Sequence, residues 1–171
     1  EVQAGGLERS FTGTLISQNV TSSAIQPDGK LIVTNGISTS YCDVIENGIY
    51  RLNSDGSLDT GFYYDGNPFA NVIALRPDGK IVAAGNIIRI LNADGSTYQG
   101  FNSVTGFNYT ASALALQPDG KILVGGGFDT YDGITTHGIA RIDTDGVLDV
   151  TFPVGTGFSG NGVNEIGRAH V

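Results

Sequence analysis

One nine-residue pattern occurs three times along the chain. It reads Ile25-Gln26-Pro27-Asp28-Gly29-Lys30-Leu31-Ile32-Val33, then Leu75-Arg76-Pro77-Asp78-Gly79-Lys80-Ile81-Val82-Ala83, then Leu116-Gln117-Pro118-Asp119-Gly120-Lys121-Ile122-Leu123-Val124. The copies start 50 and 41 residues apart. Each is an apolar strand, a turn and a second apolar strand: Pro presets φ for a type I turn, and Gly takes the left-handed position that follows. A period of about 40 to 50 residues belongs to solenoids, propellers and arrays, in which one supersecondary unit cannot bury its apolar faces alone.

A second pattern alternates with the first. It runs Tyr50-Arg51-Leu52-Asn53-Ser54-Asp55-Gly56-Ser57-Leu58-Asp59-Thr60-Gly61-Phe62, then from Arg89-Ile90-Leu91-Asn92-Ala93-Asp94-Gly95 to Phe101, then from Ala140-Arg141-Ile142-Asp143-Thr144-Asp145-Gly146-Val147-Leu148-Asp149 to Phe152. In every copy the Phe stands seven residues after the turn Asp, which implies one aromatic plug per repeat. Eight of the 13 Asp directly precede Gly: Asp28, Asp55, Asp65, Asp78, Asp94, Asp119, Asp132 and Asp145. Asp caps its own backbone and Gly supplies positive φ, so the acidity is largely a by-product of many turns.

Many turns mean many short strands. The expected strands are 20–26, 30–35, 48–53 and 58–63 in the first repeat. They are 70–76, 80–85, 87–92 and 97–101 in the second, and 111–117, 121–126, 138–143 and 148–152 in the third. No segment sustains a 3.6-residue period, so no helix is expected. The sequence predicts an all-β, propeller-like array of about three four-stranded blades with half-blades at both ends. As one repeat domain it divides into 1–19 (the tail of a preceding repeat), 20–66, a shortened 67–107, 108–158, and 159–171 (the first strand of a following repeat).

Composition narrows the function classes. With 40% hydrophobic and 15% charged residues the chain is too apolar for a disordered segment. The net charge of −8 repels nucleic acid and anionic membrane surfaces. No run of about 18 apolar residues is present to cross a membrane. The N-terminus lacks the basic and apolar regions of a signal peptide and an initiator Met, so a processed or trimmed chain or a fragment is expected. The single Cys42 forms no internal disulfide.

These motifs resemble the delta-60 repeat, a β-propeller-type repeat of large bacterial surface and phage-associated proteins. The resemblance rests on the three Pro-Asp-Gly-Lys hairpins, on Gly125-Gly126-Gly127-Phe128-Asp129-Thr130-Tyr131-Asp132-Gly133, on Gly138-Ile139-Ala140-Arg141-Ile142 and on Gly56-Ser57-Leu58-Asp59. It covers nearly the whole chain. It implies a repeat scaffold that is extracellular, on a cell surface or on a virion, and it brings no catalytic residues. Repeat two departs from the pattern by deletion, and the C-terminus departs after Val163.

Candidate chemistry is sparse. Calcium is the natural suspicion for Asp-Gly repeats, but the first ligand position of each segment holds Arg51, Ile90 or Arg141, and plain turns are favoured. No metal or other cofactor is expected. Lys30, Lys80 and Lys121 could form an anion-binding ring; solvated strand starts that offset a nearby Asp are favoured. Gly155-Thr156-Gly157-Phe158-Ser159-Gly160 fits a dinucleotide fingerprint only on paper, since no helix pattern follows. With His137 and His170 the only histidines and no nucleophile motif, the chain reads as no enzyme. The acids outside the repeated turns, Asp43, Glu46, Asp129 and Asp132, lie in the loops 37–47 and 127–137, and solvation is the favoured reading. Those loops also carry Tyr41, Tyr131 and His137. Aromatic rings beside carboxylates suit a sugar, which makes Tyr41, Asp43, Asp129, Tyr131, Asp132 and His137 the ligand-binding candidates of a lectin-like alternative.

The structural residues of the repeat are Asp28, Gly29, Lys30, Asp55, Gly56, Phe62, Asp78, Gly79, Lys80, Asp94, Gly95, Phe101, Asp119, Gly120, Lys121, Asp145, Gly146 and Phe152. Closed propellers use about four to eight blades, so three repeats leave apolar faces open to pairing. The expected function is that of a non-enzymatic extracellular structural subunit that self-associates through blade edges into a ring, filament or virion structure. A surface glycan is the alternative partner, and no nucleic acid or membrane insertion is expected.

Overall fold

The computed structural model describes residues 20–35, 48–64, 70–102, 105–156, 158 and 162–167. Each Pro-Asp-Gly turn closes its hairpin in the same way. In the first, Gln26 N donates to Lys30 O at 2.8 Å, Gly29 N donates to Gln26 O at 2.9 Å, and the Asp28 carboxylate receives Lys30 N at 3.1 Å. The equivalent N–H bonds recur from Arg76 to Lys80 O and from Gln117 to Lys121 O.

The hairpins extend into three antiparallel sheets. β1 (Ser22–Ile25), β2 (Leu31–Thr34) and β3 (Ile49–Leu52) form the first blade. β4 (Ala70–Leu75), β5 (Ile81–Gly85) and β6 (Ile88–Leu91) form the second. β7 (Ala111–Leu116), β8 (Ile122–Gly126) and β11 (Ile139–Ile142) form the third. Between β8 and β11 the loop folds into a small hairpin of its own, β9 (Thr130–Tyr131) with β10 (Ile134–Thr135). No helix occurs among the described residues. The first strands β1, β4 and β7 stand side by side, and the sheets radiate from them. This is a propeller arrangement of blades.

One expectation needs correction. The fourth strand of each blade is a single bridge rather than a strand: Leu58 to Leu52, Thr97 to Leu91, and Leu148 to Ile142. In blades 1 and 3 the cause is the turn that follows. Phe62 N donates to Asp59 O and Phe152 N to Asp149 O, which curls the chain away after one pair.

Strand alternation gives each sheet two faces, and blade 2 uses both. Ile81, Ala83 and Leu91 pack with Ile32 and Ile49 of blade 1. Val82, Ala84, Ile88 and Ile90 pack with Ile122, Val124, Ala140 and Ile142 of blade 3. On these strand faces the core side chains are mostly Ile, Leu and Val, as a stack of short strands requires, and Phe107, Phe128 and Tyr131 add an aromatic group from the loops.

The blades are also tied by backbone. The residue after the plug Phe donates its N–H to the turn Asp of the next blade: Tyr63 N to Asp94 O at 3.1 Å, and Asn102 N to Asp145 O at 2.7 Å. The turn glycine makes room for this. A Cβ on Gly95 would lie 2.7 Å from Tyr63 O, and one on Gly146 would lie 2.9 Å from the Asn102 backbone. The glycine is therefore required twice, for its φ of +96° at Gly146 and for the close approach.

Gly79 has a similar φ of +81° but open space around it. Gly146→Ala is expected to destabilise the fold by clearly more than Gly79→Ala, whose strain is about 1 kcal/mol. Denaturant unfolding of the two variants measures the difference, which isolates the cost of prising the blades apart.

Candidate functional site

Three places gather polar chemistry. The first is an axial cavity of about 870 Å³ where the three first strands converge. Its walls include Ser23, Ile25, Leu75 and Leu116, and the turns Arg76-Pro77-Asp78 and Gln117-Pro118-Asp119-Gly120 stand at it. Arg76 Nε lies 3.4 Å from Asp78 Oδ1, and Lys80 Nζ lies 3.0 Å from Asp78 Oδ2. Arg76 and Asp78 are thus engaged with each other, and Asp78 with Lys80, while the buried Gln117 Oε1 lacks a hydrogen-bond partner.

The second place is a three-charge clamp that recurs in blades 1 and 3. Asp59 Oδ2 receives Lys30 Nζ at 2.7 Å and Arg51 Nε at 2.9 Å. Asp149 Oδ2 receives Lys121 Nζ at 2.6 Å and Arg141 Nε at 2.8 Å. Each clamp joins the start of the second strand, the third strand and the end of the blade. The Arg planes also lie over the plug rings, Arg51 at 4.9 Å from Phe62 and Arg141 at 4.7 Å from Phe152. The Lys30 ammonium, with the Gly61 N–H and the Arg51 guanidinium, holds the Asp59 carboxyl down at about 2. Asp149 is held lower still by Lys121 and Thr151, and Lys121 is pushed up in return.

Blade 2 is built differently. Ile90 stands where the others have Arg, and Tyr98 where they have Asp. Lys80 remains and sits 5.0 Å from the Tyr98 ring centre. The two exchanges belong together, because an Arg at position 90 without the Asp would be a half-buried charge without its carboxylate. Sequence reasoning set Arg51 and Arg141 aside as the wrong charge for calcium and missed the clamp. The signal was present: Arg and Asp occur together in repeats one and three and are both replaced in repeat two. Of the acids at the calcium-like positions, Asp59, Asp143 and Asp149 are paired with the chain's own cations, while Asp55 and Asp145 cap their own turns. Likewise Lys30 and Lys121 are engaged inside their blades rather than held as a ring.

The third place is the loop 127–138. Tyr131 is fully buried, and its hydroxyl donates to Gly146 O at 2.7 Å. It stacks with Phe107, which also meets Phe128 at 4.3 Å. Tyr131 is therefore a core residue and cannot offer a ring to a sugar, which corrects the lectin-like expectation at this position. Asp132, at φ +46°, receives Thr105 N, Thr105 Oγ1 and Gly106 N, and so clips the loop to the incoming chain. Asp129 and His137 are exposed; Asp129 O receives Thr136 N and His137 N. Tyr41, Asp43 and Glu46 lie outside the described residues.

Comparison with known proteins agrees with this fold. A β-propeller domain family of unknown function, DUF5122, matches residues 26–62 and 117–152. Those stretches hold the second and third strands and the clamps of blades 1 and 3, without their first strands, and omit blade 2. No curated protein matches in sequence. Among solved structures, the computationally designed protein Ika4 is similar at TM-score 0.54 and 14% identity, over 80% of this chain and 74% of that one. The WD40 repeats of RRP9 are similar at TM-score 0.52 and 11% identity, over 75% of this chain and 36% of that one. A "putative gluconolactonase" is similar at TM-score 0.50 and 18% identity, over 74% of this chain and 44% of that one. This chain therefore spans under half the length of the latter two. The likeness is one of fold. It overturns the expectation that the chain is no enzyme, because a missing motif cannot exclude catalysis in a fold shared with a protein so described. The motif resemblance stands in its coarser form, as a β-propeller-type repeat.

The clamps fix an acid response. A carboxyl whose folded pKa is depressed contributes stability above its unfolded value, about 3.9, and loses it as pH falls toward the folded value. The Asp59 contribution is thus lost between about pH 4 and the folded value of about 2. An Asp59→Asn, Asp149→Asn double variant is expected to be less stable at neutral pH and to show a flatter loss over that window, read by thermal melts across pH. Tyr131→Phe leaves the buried Gly146 carbonyl without its donor and is expected to cost about 1 kcal/mol in denaturant unfolding.

Proposed function

We propose that this chain is an assembly module, a run of propeller blades that associates with further blades of its own kind as part of a surface structure outside the cell. The observation that carries this reading is the modularity of the junction. Blades 1 and 2, and blades 2 and 3, are joined by the same backbone bond into the same Asp-Gly turn, whatever fills the face between them. A contact that repeats in this way is additive: each blade offers a finished face to one neighbour and an open one to the next. The extracellular setting follows from the resemblance of the chain's other motifs to the delta-60 repeat.

Light scattering of the purified chain across a concentration series tests the proposal. A mass above that of one chain, rising with concentration to a closed oligomer or an open-ended series, is the expected result. A single-chain mass at every concentration overturns it.

A further inference from the structure

The loop 127–138 carries polar groups that the fold itself leaves unused. The Asn108 side chain clips this loop down: its Oδ1 receives Asp129 N at 2.8 Å and Thr130 N at 2.9 Å. That occupies the amide's acceptor and leaves both Nδ2 donors without a partner among the described residues. The Asp129 carboxylate and the His137 imidazole are exposed, and neither bonds to another described residue. The three side chains sit close together, because Asp129 N meets Asn108 and Asp129 O receives His137 N at 3.2 Å. His137 holds φ +49°, in the left-handed region that residues other than glycine seldom adopt. Strain of this kind gathers at functional sites.

An aromatic ring lies beside them. Tyr109 is 66% exposed. One edge of its ring rests on Gly127, where a Cβ would lie 3.1 Å from Tyr109 Cδ1 and 3.6 Å from Cε1. Gly127 N donates to Thr110 O at 3.1 Å, which holds the glycine and the ring in register. The segment 162–167 packs on the same glycines, with Val163 N donating to Gly126 O at 3.2 Å, and still leaves the Tyr109 ring open.

We infer that Tyr109, with Asn108, Asp129 and His137 around it, is a binding site for a neutral oligosaccharide. The C–H face of a sugar stacks on an open ring, and its hydroxyls each give and take a hydrogen bond. The patch supplies donors on Asn108 and His137 and an acceptor on Asp129. The free carboxylate and the net charge of −8 disfavour an acidic sugar. A side chain at position 127 would push the ring off the backbone, so the glycine keeps the platform in place. The fold thus buries Tyr131 and presents Tyr109 beside the same loop. An open platform of this kind holds a single saccharide weakly, and copies of it in one assembly would gain by avidity. None of these residues makes a junction bond between blades, so the inference goes beyond the assembly reading and does not rest on it.

Titration of the full chain with the hexasaccharides of cellulose, amylose, chitin and mannan, followed by amide NMR, tests this. At least one is expected to bind in the millimolar range and to shift the amides of Asn108, Tyr109, Asp129 and His137. Tyr109→Ala is expected to weaken that binding about tenfold, the loss of one stacking ring. Gly127→Ala is expected to weaken it as well, with the melting temperature unchanged. Tyr63→Ala removes an equally exposed ring elsewhere (69% exposed) and is expected to leave binding as it is. Tyr109→Trp keeps the platform and is expected to keep binding. Because the chain has no other Trp, its emission should move to the blue as the sugar covers the ring, a response that misfolding cannot imitate. Absence of binding to all four saccharides, or binding that Tyr109→Ala leaves intact, overturns the proposal. Light scattering reads the assembly separately, so either reading can fail while the other stands.

Discussion

Each blade is finished by the one that follows it. The plug Phe ends a blade, and the next backbone N–H enters the Asp-Gly turn of the neighbour, against a glycine that leaves no room for a side chain. This close approach sets the distance between sheets. It decides which apolar side chains meet, and so where Ile81 and Ala83 on one side and Val82 and Ala84 on the other find their partners. A two-residue turn motif thereby does two tasks. It reverses the chain within its own blade, and it receives the end of the blade before.

The face between sheets can be filled in two ways. Blade 1 turns a clamped Asp59 with Lys30 and Arg51 toward blade 2, whereas blade 2 turns Ile90 and Tyr98 toward blade 3. A buried charge pair replaced as a unit by apolar groups is often neutral or stabilising, while removal of one partner is strongly destabilising. That asymmetry explains why both positions changed together. Blade 3 keeps the charged version on its outer face, where Arg141 remains partly open to solvent.

The three blades, their hairpins and the absence of helix were legible because turn chemistry is local: Pro-Asp-Gly needs no partner elsewhere in the chain to declare itself. The fourth strand was overcounted for a related reason. Apolar alternation at Leu58 and Leu148 looks like a strand, and the turn that breaks it depends on backbone bonds from Phe62 and Phe152. The site was less legible. Tyr131 beside Asp132 reads as a loop platform, yet its ring reaches the core between blades and its hydroxyl meets Gly146. Spacing along the chain does not reveal which loop side chains the neighbouring blade will bury. The Lys–Asp–Arg clamp spans 29 and 8 residues and shows itself only when repeats are compared column by column.

The account stands on the junction bonds, and amide hydrogen exchange at Tyr63 and Asn102 tests them most directly. Both amides lie outside any strand, where exchange is ordinarily fast. If the bonds to Asp94 and Asp145 hold the blades together, the two amides exchange only with global unfolding, as slowly as those of β5. Exchange at the rate of an open turn such as that at Gly79 would mean that the blades are not latched in this way, and would contradict the account.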